Sequence, residues 1–289
     1  MILVTGASGN VGKAVLQEVA KSRAKHRAMY RSTVEATKAP PGTETVIADF
    51  AKKDTLLTVL RNVDSVYLVC SPIPQLVELE SNMVDACVAA GVNQVVLNSA
   101  MGAGDYDKSF PSWHRKVEDK LKSTRLSYTI LRPNSFHQNV VAFFAPSIRT
   151  QGVFYSSMDA ARVSFLDVRD IAVVAAKALA GGEHAGKTYE LNGPEASSYA
   201  EVAEKISKQV GSAVQYVDIP MEAQRKAMLE QGMPEWQVTA LLQLQEYYTG
   251  GKGGSVDGLL QRLLGRAPIT MDQFLAEFAD EFRGQAANA

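Results

Sequence analysis

Short, almost unbroken apolar runs recur through the first half of the chain, and each gives way to a longer stretch with apolar residues at helical spacing. The runs are Met1-Ile2-Leu3-Val4-Thr5, Arg27-Ala28-Met29-Tyr30, Thr45-Val46-Ile47-Ala48, Ser65-Val66-Tyr67-Leu68-Val69-Cys70, Gln94-Val95-Val96-Leu97-Asn98 and Tyr128-Thr129-Ile130-Leu131. The fourth of these, near-continuously apolar, reads as a strand covered on both faces, as in parallel sheets held between helix layers. The intervening stretches predict helices over 13–21, 54–60, 76–90 and 113–121, with Gly91 closing the third. Strands alternating with helices specify an α/β fold whose parallel, doubly wound sheet binds ligands beyond the carboxyl ends of its strands.

Beyond Asn134 the pattern changes. Residues 135–148 predict a helix, 153–155 a short extended piece and 162–166 a strand that returns to the sheet. Asp167 and Asp170 then open a helix that runs to Leu179, and an acid before a helix and another in its first turn read as capping rather than as catalytic carboxylates. A strand over 187–191, an amphipathic helix over 199–210 stopped by Gly211, and a last strand over 214–219 precede a mainly helical remainder to Phe282. The glycine cluster 250–254 follows a helix, not a strand, and reads as a flexible connection. The end, 284–289, is expected to fray. Residues 1–133 are thus predicted to form a dinucleotide-binding domain of Rossmann type, with the strand near 162–167 rejoining its sheet. Residues 134–289 are predicted to form a smaller, mainly helical domain on the substrate side.

The dinucleotide reading comes from the first turn. The opening strand breaks into Gly6-Ala7-Ser8-Gly9-Asn10-Val11-Gly12, and a helix follows at once. A helix N-terminus offers unpaired N–H groups and a partial positive charge, and glycines let a pyrophosphate come close. The spacing is G-x-x-G-x-x-G, and an ordinary βα turn has no use for three regularly spaced glycines. A phosphate loop of the G-x-x-x-x-G-K-[ST] kind is excluded, because Ala7 and Ala14 stand where it needs glycine and a hydroxyl. The second strand ends at Arg31-Ser32, and positions 27–34 contain no acid to grip a free ribose hydroxyl. Arg31 therefore favours the 2′-phosphate of NADP, with Lys13 or Arg27 as further charge.

Composition narrows the partners. The 289 residues are 46% hydrophobic with a net charge of -1, ample for a core and without the basic excess of a nucleic-acid or anionic-membrane binder. No apolar run suffices to span a bilayer and no leader is apparent, so a cytoplasmic address and no membrane partner are expected. Cys70 and Cys87 read as small core residues, and the four histidines lack ligand spacing, so no metal is expected. There is no G-x-S-x-G elbow to support hydrolase chemistry.

Read in order, the segments 4–12, Ala48-Asp49-Phe50, the helix from His114 to Leu121 with Glu118, Leu131-Arg132-Pro133-Asn134-Ser135-Phe136, 167–172 and Tyr189-Glu190-Leu191-Asn192-Gly193-Pro194 make the chain similar to the short-chain dehydrogenase/reductase superfamily. Within it, the chain resembles the atypical NmrA-like group, which includes NADPH-dependent quinone and triphenylmethane-dye reductases. The resemblance implies NADP(H), or else NAD(H), lying along Gly6, Ala7, Ser8, Gly9, Asn10, Val11 and Gly12. It would continue past Arg31, Asp49 and Phe50, then Cys70, Ser71, Pro72 and Ile73, then Ser99 and His114. Pro133, Asn134, Ser135 and Phe136 complete the implied set, with the substrate under the smaller domain. Typical members of the superfamily carry Tyr-x-x-x-Lys on the helix after the fifth strand; here Phe110 and His114 fall at those positions.

Phenylalanine transfers no proton. Ser99 matches the superfamily serine, and His114, Tyr155 and Tyr106 are substitute donors to be weighed. Without a donor, reducing a ketone to an alkoxide faces a high barrier, whereas a quinone or cationic dye gives a delocalised or neutral product that collects its proton from water. The expected function is an NADPH-preferring oxidoreductase that passes hydride to a small hydrophobic or aromatic acceptor, quinone-like or dye-like, with Phe110, Trp113, Phe136 and Tyr155 as candidate lining. The alternatives are a non-catalytic NAD(P) redox sensor and a carbonyl reductase using Tyr155 or Tyr106. A monomer or homodimer is expected.

Overall fold

The computed structural model describes residues 1–22 and 24–284, so most of the expected frayed end lies outside the described residues. In chain order the elements are β1 (Ile2–Val4), α1 (Asn10–Lys21), β2 (His26–Tyr30), α2 (Thr33–Ala36), β3 (Glu44–Ile47), α3 (Lys53–Val59), β4 (Ser65–Leu68), α4 (Leu76–Ala90), β5 (Gln94–Asn98), α5 (Ser109–Lys122) and β6 (Ser127–Pro133). Then come α6 (His137–Gln151), β7 (Val153–Ser156), α7 (Val168–Ala180), β8 (Lys187–Leu191), α8 (Tyr199–Val210), β9 (Gln215–Asp218), α9 (Met221–Glu230), α10 (Glu235–Tyr247), α11 (Leu259–Leu264) and α12 (Met271–Glu277). The backbone divides into two compact units: 1–133 with 168–190, and 134–167 with 191–289.

The first unit is built on a seven-stranded sheet in the order β3-β2-β1-β4-β5-β6-β8. Strands β1 to β6 pair in parallel, with Leu3 opposite both Arg27 and Val66. The strand order reverses between β1 and β4, and a doubly wound sheet opens its ligand crevice at such a switch point. On one face Leu3, Val66, Leu68, Val95, Leu97 and Ile130 pack with Leu56, Val84, Cys87, Val117 and Leu121 from α3, α4 and α5. Helices α1 and α7 pack against each other elsewhere in the same unit. Burying such side chains contributes roughly 25 cal/mol per Å² of apolar surface, which makes this core the main source of the unit's stability.

The expected strand over 162–166 does not form a sheet strand. Leu166 bridges Phe136 and Val163 bridges Ser197, all within the second unit, and Val163, Phe165 and Leu166 are buried there. The seventh strand beside β6 is β8 instead. The last strand, β9, pairs in parallel with β7 in a separate two-stranded sheet, where Phe154 faces an aromatic group of Phe144, Tyr199 and Tyr216.

The glycine cluster 250–254 is also firmer than its composition suggests. The Gly253 carbonyl accepts from Asn134 Nδ2 at 2.8 Å and from the Ser164 amide at 2.9 Å. A Cβ on Gly253 would collide with the Tyr248 ring, so glycine is there for close packing and not for slack.

Candidate functional site

The turn from β1 into α1 shows why its glycines are where they are. Gly6 sits at φ +58°, and a Cβ there would lie 2.7 Å from Val69 Cγ1. Gly12 lies in the first turn of α1, where a Cβ would be driven into the Gly6 carbonyl and to 2.8 Å from Thr5 O. Helix α1 begins earlier than sequence spacing suggests, at Asn10; Gly9 is its N-cap, no side chain caps it, and its first turn carries no acid. Its leading N–H groups therefore remain available for an anion, and Ser8, Gly9 and Asn10 are exposed beside them. Ala7 and Val11 are buried and shape the turn from within. Thr5 Oγ1 fastens this edge to β4 by donating to Tyr67 O at 3.0 Å and accepting from the Val69 amide at 3.0 Å. A diphosphate fits a cradle of this kind.

The neighbouring strand tips converge. The Cys70 thiol is pushed up to about 12 by burial and by the nearby Glu80, and the charges of Arg31 and Asp49 also act on it, which places the ends of β2, β3 and β4 close together. Arg31 is exposed, whereas Ser32 uses its hydroxyl to accept the Glu35 amide. Arg27 is committed elsewhere: its guanidinium donates to Glu44 at 2.8 Å and to Val59 O at 2.6 Å. Asp49 Oδ1 accepts the Ala51 amide at 3.0 Å and shapes the turn into α3, while the Phe50 ring is part of the apolar core. Ser71 and Pro72 are exposed and Ile73 half-buried, with the Ile73 amide bonded to Ser71 O at 2.8 Å.

Helix α5 begins at Ser109, whose φ of +56° is uncommon for a residue with a Cβ and marks a strained entry. It carries Phe110, His114 and Glu118 in succession at helical spacing. Phe110 meets Trp113 edge-on, with ring centroids 5.3 Å apart. His114 is buried, its Nδ1 has no hydrogen-bond partner, and burial lowers its pKa to about 4 against the pull of Glu118. The ring is thus neutral near pH 7 and holds no charge with which to replace a lysine.

Ser99 donates its hydroxyl proton to Glu118 Oε1 at 2.6 Å. Glu118 also receives Arg132 through both oxygens, at 2.8 and 2.7 Å, and Lys122 at 3.2 Å. Burial raises the Glu118 pKa, but the hydrogen bonds from Arg132 and Ser99 and the Arg132 charge outweigh it and leave the carboxylate below its usual range. Ser99 is accordingly a spent donor with lone pairs to spare. Arg115 ties down the loop between them by donating to Ala103 O and Tyr106 O.

In the second unit Asn134 is fully engaged: its Nδ2 donates to Asn192 Oδ1 at 3.1 Å and to Gly253 O, and its Oδ1 accepts the Ser135 amide at 2.8 Å. Ser135 and Phe136 are half-buried and Asn139 Nδ2 donates to Ser135 Oγ at 3.3 Å, while Pro133 ends β6 in the first unit. Tyr155 lies on β7 with 46% of its surface exposed. Thus the first unit gathers Gly6 to Gly12, Arg31, Asp49, Cys70 and Ser71 at the ends of its strands, and gives Ser99, Phe50 and Arg27 internal partners. Glu80, buried on α4 beside Cys70, is missed by sequence reasoning, although its spacing from Leu76, Met83, Val84 and Cys87 places it on the apolar face of the helix.

Comparison with known proteins settles the lineage. The model of the NmrA-like family matches residues 1–275. The chain belongs to the NmrA-like family. Among relatives of this NmrA-like protein, the NAD(P)H azoreductase of Xenophilus azovorans is 30% identical over 284 residues, covering 98% of this chain and 99% of the relative. The (4-alkanoyl-5-oxo-2,5-dihydrofuran-3-yl)methyl phosphate reductase of Streptomyces griseus is 32% identical over 287 residues, with the same coverage of 98% and 99%. The crystal structure of an NADPH-dependent quinone oxidoreductase from Escherichia coli complexed with NADPH superposes with a TM-score of 0.89 at 25% identity, over 96% of this chain and 99% of that one.

Proposed function

We propose that this NmrA-like protein, an NAD(P)H-dependent oxidoreductase, takes NADPH in preference to NADH and reduces small aromatic electrophiles of the quinone or azo-dye class. The observation that carries the reading is the pairing of a glycine-rich β1–α1 turn that no side chain caps with a helix α5 that offers Phe110 and an uncharged His114 where a proton-donating pair would stand. When bound, the dinucleotide supplies a hydride. The glycine turn holds the diphosphate by main-chain N–H groups, and Arg31 meets the 2′-phosphate with a planar fork suited to it. Ser71, Pro72 and Ile73 border the same edge and Ser99, its O–H already engaged in the hydrogen bond to Glu118, serves as a hydrogen-bond acceptor.

With Phe110 and a neutral His114 where a proton-donating pair would stand, the chain contributes position more than proton transfer, and orientation alone suffices for an acceptor that delocalises the arriving electron pair. A quinone takes hydride at the ring system and one proton from water, giving the hydroquinone. The names of the relatives, an azoreductase and a quinone oxidoreductase, support an acceptor of this class.

The test is steady-state oxidation of NADPH and of NADH with a quinone, an azo dye and an unactivated ketone. Turnover with the first two acceptors, faster with NADPH, and none with the ketone is expected. Binding of NADPH without turnover of any acceptor would favour a redox sensor.

A further inference from the structure

Glu80 carries an ionisable group into the interior of the first unit with no charged side chain hydrogen-bonded to it. Its side chain is fully shielded from solvent, neither carboxyl oxygen makes a hydrogen bond of ordinary geometry, and the polar group that approaches it is the Cys70 backbone N–H. It shares a face of α4 with Leu76, Met83, Val84 and Cys87, all buried. Burial lifts its pKa well above the carboxylate range against the pull of the Cys70 backbone N–H, which favours the protonated form, a donor as well as an acceptor. A buried polar group without a partner lowers stability, and a partner in another state of the protein is the physical reason for it to persist.

Its surroundings say which state. Cys70, where the chain leaves β4, feels Glu80 together with Arg31 and Asp49. Two residues further along α4, Asn82 Nδ2 donates to Phe50 O at 3.0 Å. Helix α4 therefore reaches beneath the ends of both β3 and β4, where the segments Asp49-Phe50 and Cys70-Ser71-Pro72-Ile73 stand. Tyr67, the other ionisable side chain that feels Glu80, is already satisfied by donating to Asn98 Oδ1 at 3.0 Å.

We propose that Glu80 is a positioning residue for the dinucleotide: from beneath the end of β4 it fixes the backbone at Cys70 and Ser71, and its unused hydrogen-bonding capacity is taken up when the cofactor is held. The proposal rests on the NAD(P)H reading above. It makes the carboxyl a liability in the free protein and an asset in the complex, so stability and affinity part company on substitution.

The experiment compares the full chain with its Glu80→Leu and Glu80→Gln variants by thermal melting without cofactor and by fluorescence titration with NADPH. Glu80→Leu, which removes the unpaired group at similar volume, is expected to melt no lower than the parent yet to bind NADPH about tenfold more weakly, while Glu80→Gln, with a neutral donor and acceptor, restores affinity to within about twofold. Glu80→Leu binding as tightly as the parent, or Glu80→Gln binding as weakly as Glu80→Leu, overturns the proposal. If Glu80→Leu does not fold, hydrogen exchange in the unaltered protein decides: NADPH should protect the Cys70 and Ser71 amides, and no gain in protection overturns it. A parent that binds no NADPH sinks the cofactor reading and this proposal together. A parent that binds normally beside an indifferent Glu80→Leu sinks only the role of Glu80.

Discussion

A single methyl group decides whether the β1–α1 turn can exist. At Gly12 it would be forced into the carbonyl of Gly6. Gly12→Ala is therefore expected to lower stability by about 1–3 kcal/mol and to weaken NADPH binding by more than about tenfold, as read from urea unfolding and titration. Arg31→Ala should cost NADPH about one to two orders of magnitude in affinity and leave NADH unchanged, since only the former has a 2′-phosphate to lose. Equal losses for both cofactors would remove Arg31 from that role.

His114 gives a pH signature. Above pH ~6.5 its ring is neutral folded or unfolded and contributes nothing. Between there and its folded value of about 4 the unfolded chain takes up a proton that the buried ring refuses, so stability falls as pH falls, by on the order of 3 kcal/mol in all. His114→Gln should flatten that part of the curve, and an unchanged slope in pH-dependent denaturation would contradict the assignment. The tight turn at Gly6 and Gly12 was legible in the sequence because its meaning is local. The commitments of Ser99 to Glu118 and of Asn134 to Asn192 and Gly253 were not, because each pairing joins residues far apart in the chain.

At the scale of elements, the strands apolar on both faces and the helices closed by Gly91 and Gly211 could be read directly, since period and cap coincide there. The segment 162–166 could not, because an apolar run has the same composition whether it joins a sheet or, as here, makes isolated bridges to Phe136 and Ser197. Helix α6 contains a feature that propensity alone condemns: Pro146 lies well inside it and is exposed. Proline there removes one backbone hydrogen bond and crowds the preceding turn. Pro146→Ala is expected to raise stability by about 1–3 kcal/mol, seen as a higher melting temperature. A lower one would mean that the proline itself supports the packing of Phe144 on Phe154.

For the whole molecule, the division of labour follows from the order of the chain. The first unit takes residues 1–133 and then 168–190, so its sheet is completed only after the chain has visited the second unit. The backbone divides after Pro133, where strand–helix alternation stops in the sequence; the return of α7 and β8 to the first unit has no such signal, because sequence order carries no record of which layer a helix joins. Among the described residues no helix is long and apolar enough to cross a membrane, and no group of three or more His, Cys, Asp or Glu side chains is placed to hold a metal ion. In the proposed reaction the dinucleotide supplies the electrons, and the lack of a proton-donating pair at Phe110 and His114 selects the acceptor. The most direct measurement is hydride transfer from NADPH deuterated at the transferring position to a quinone and to an unactivated ketone. The account predicts slower quinone reduction with the deuterated cofactor, a primary isotope effect, and no ketone reduction; reduction of both acceptors at similar rates, or of neither, would contradict it.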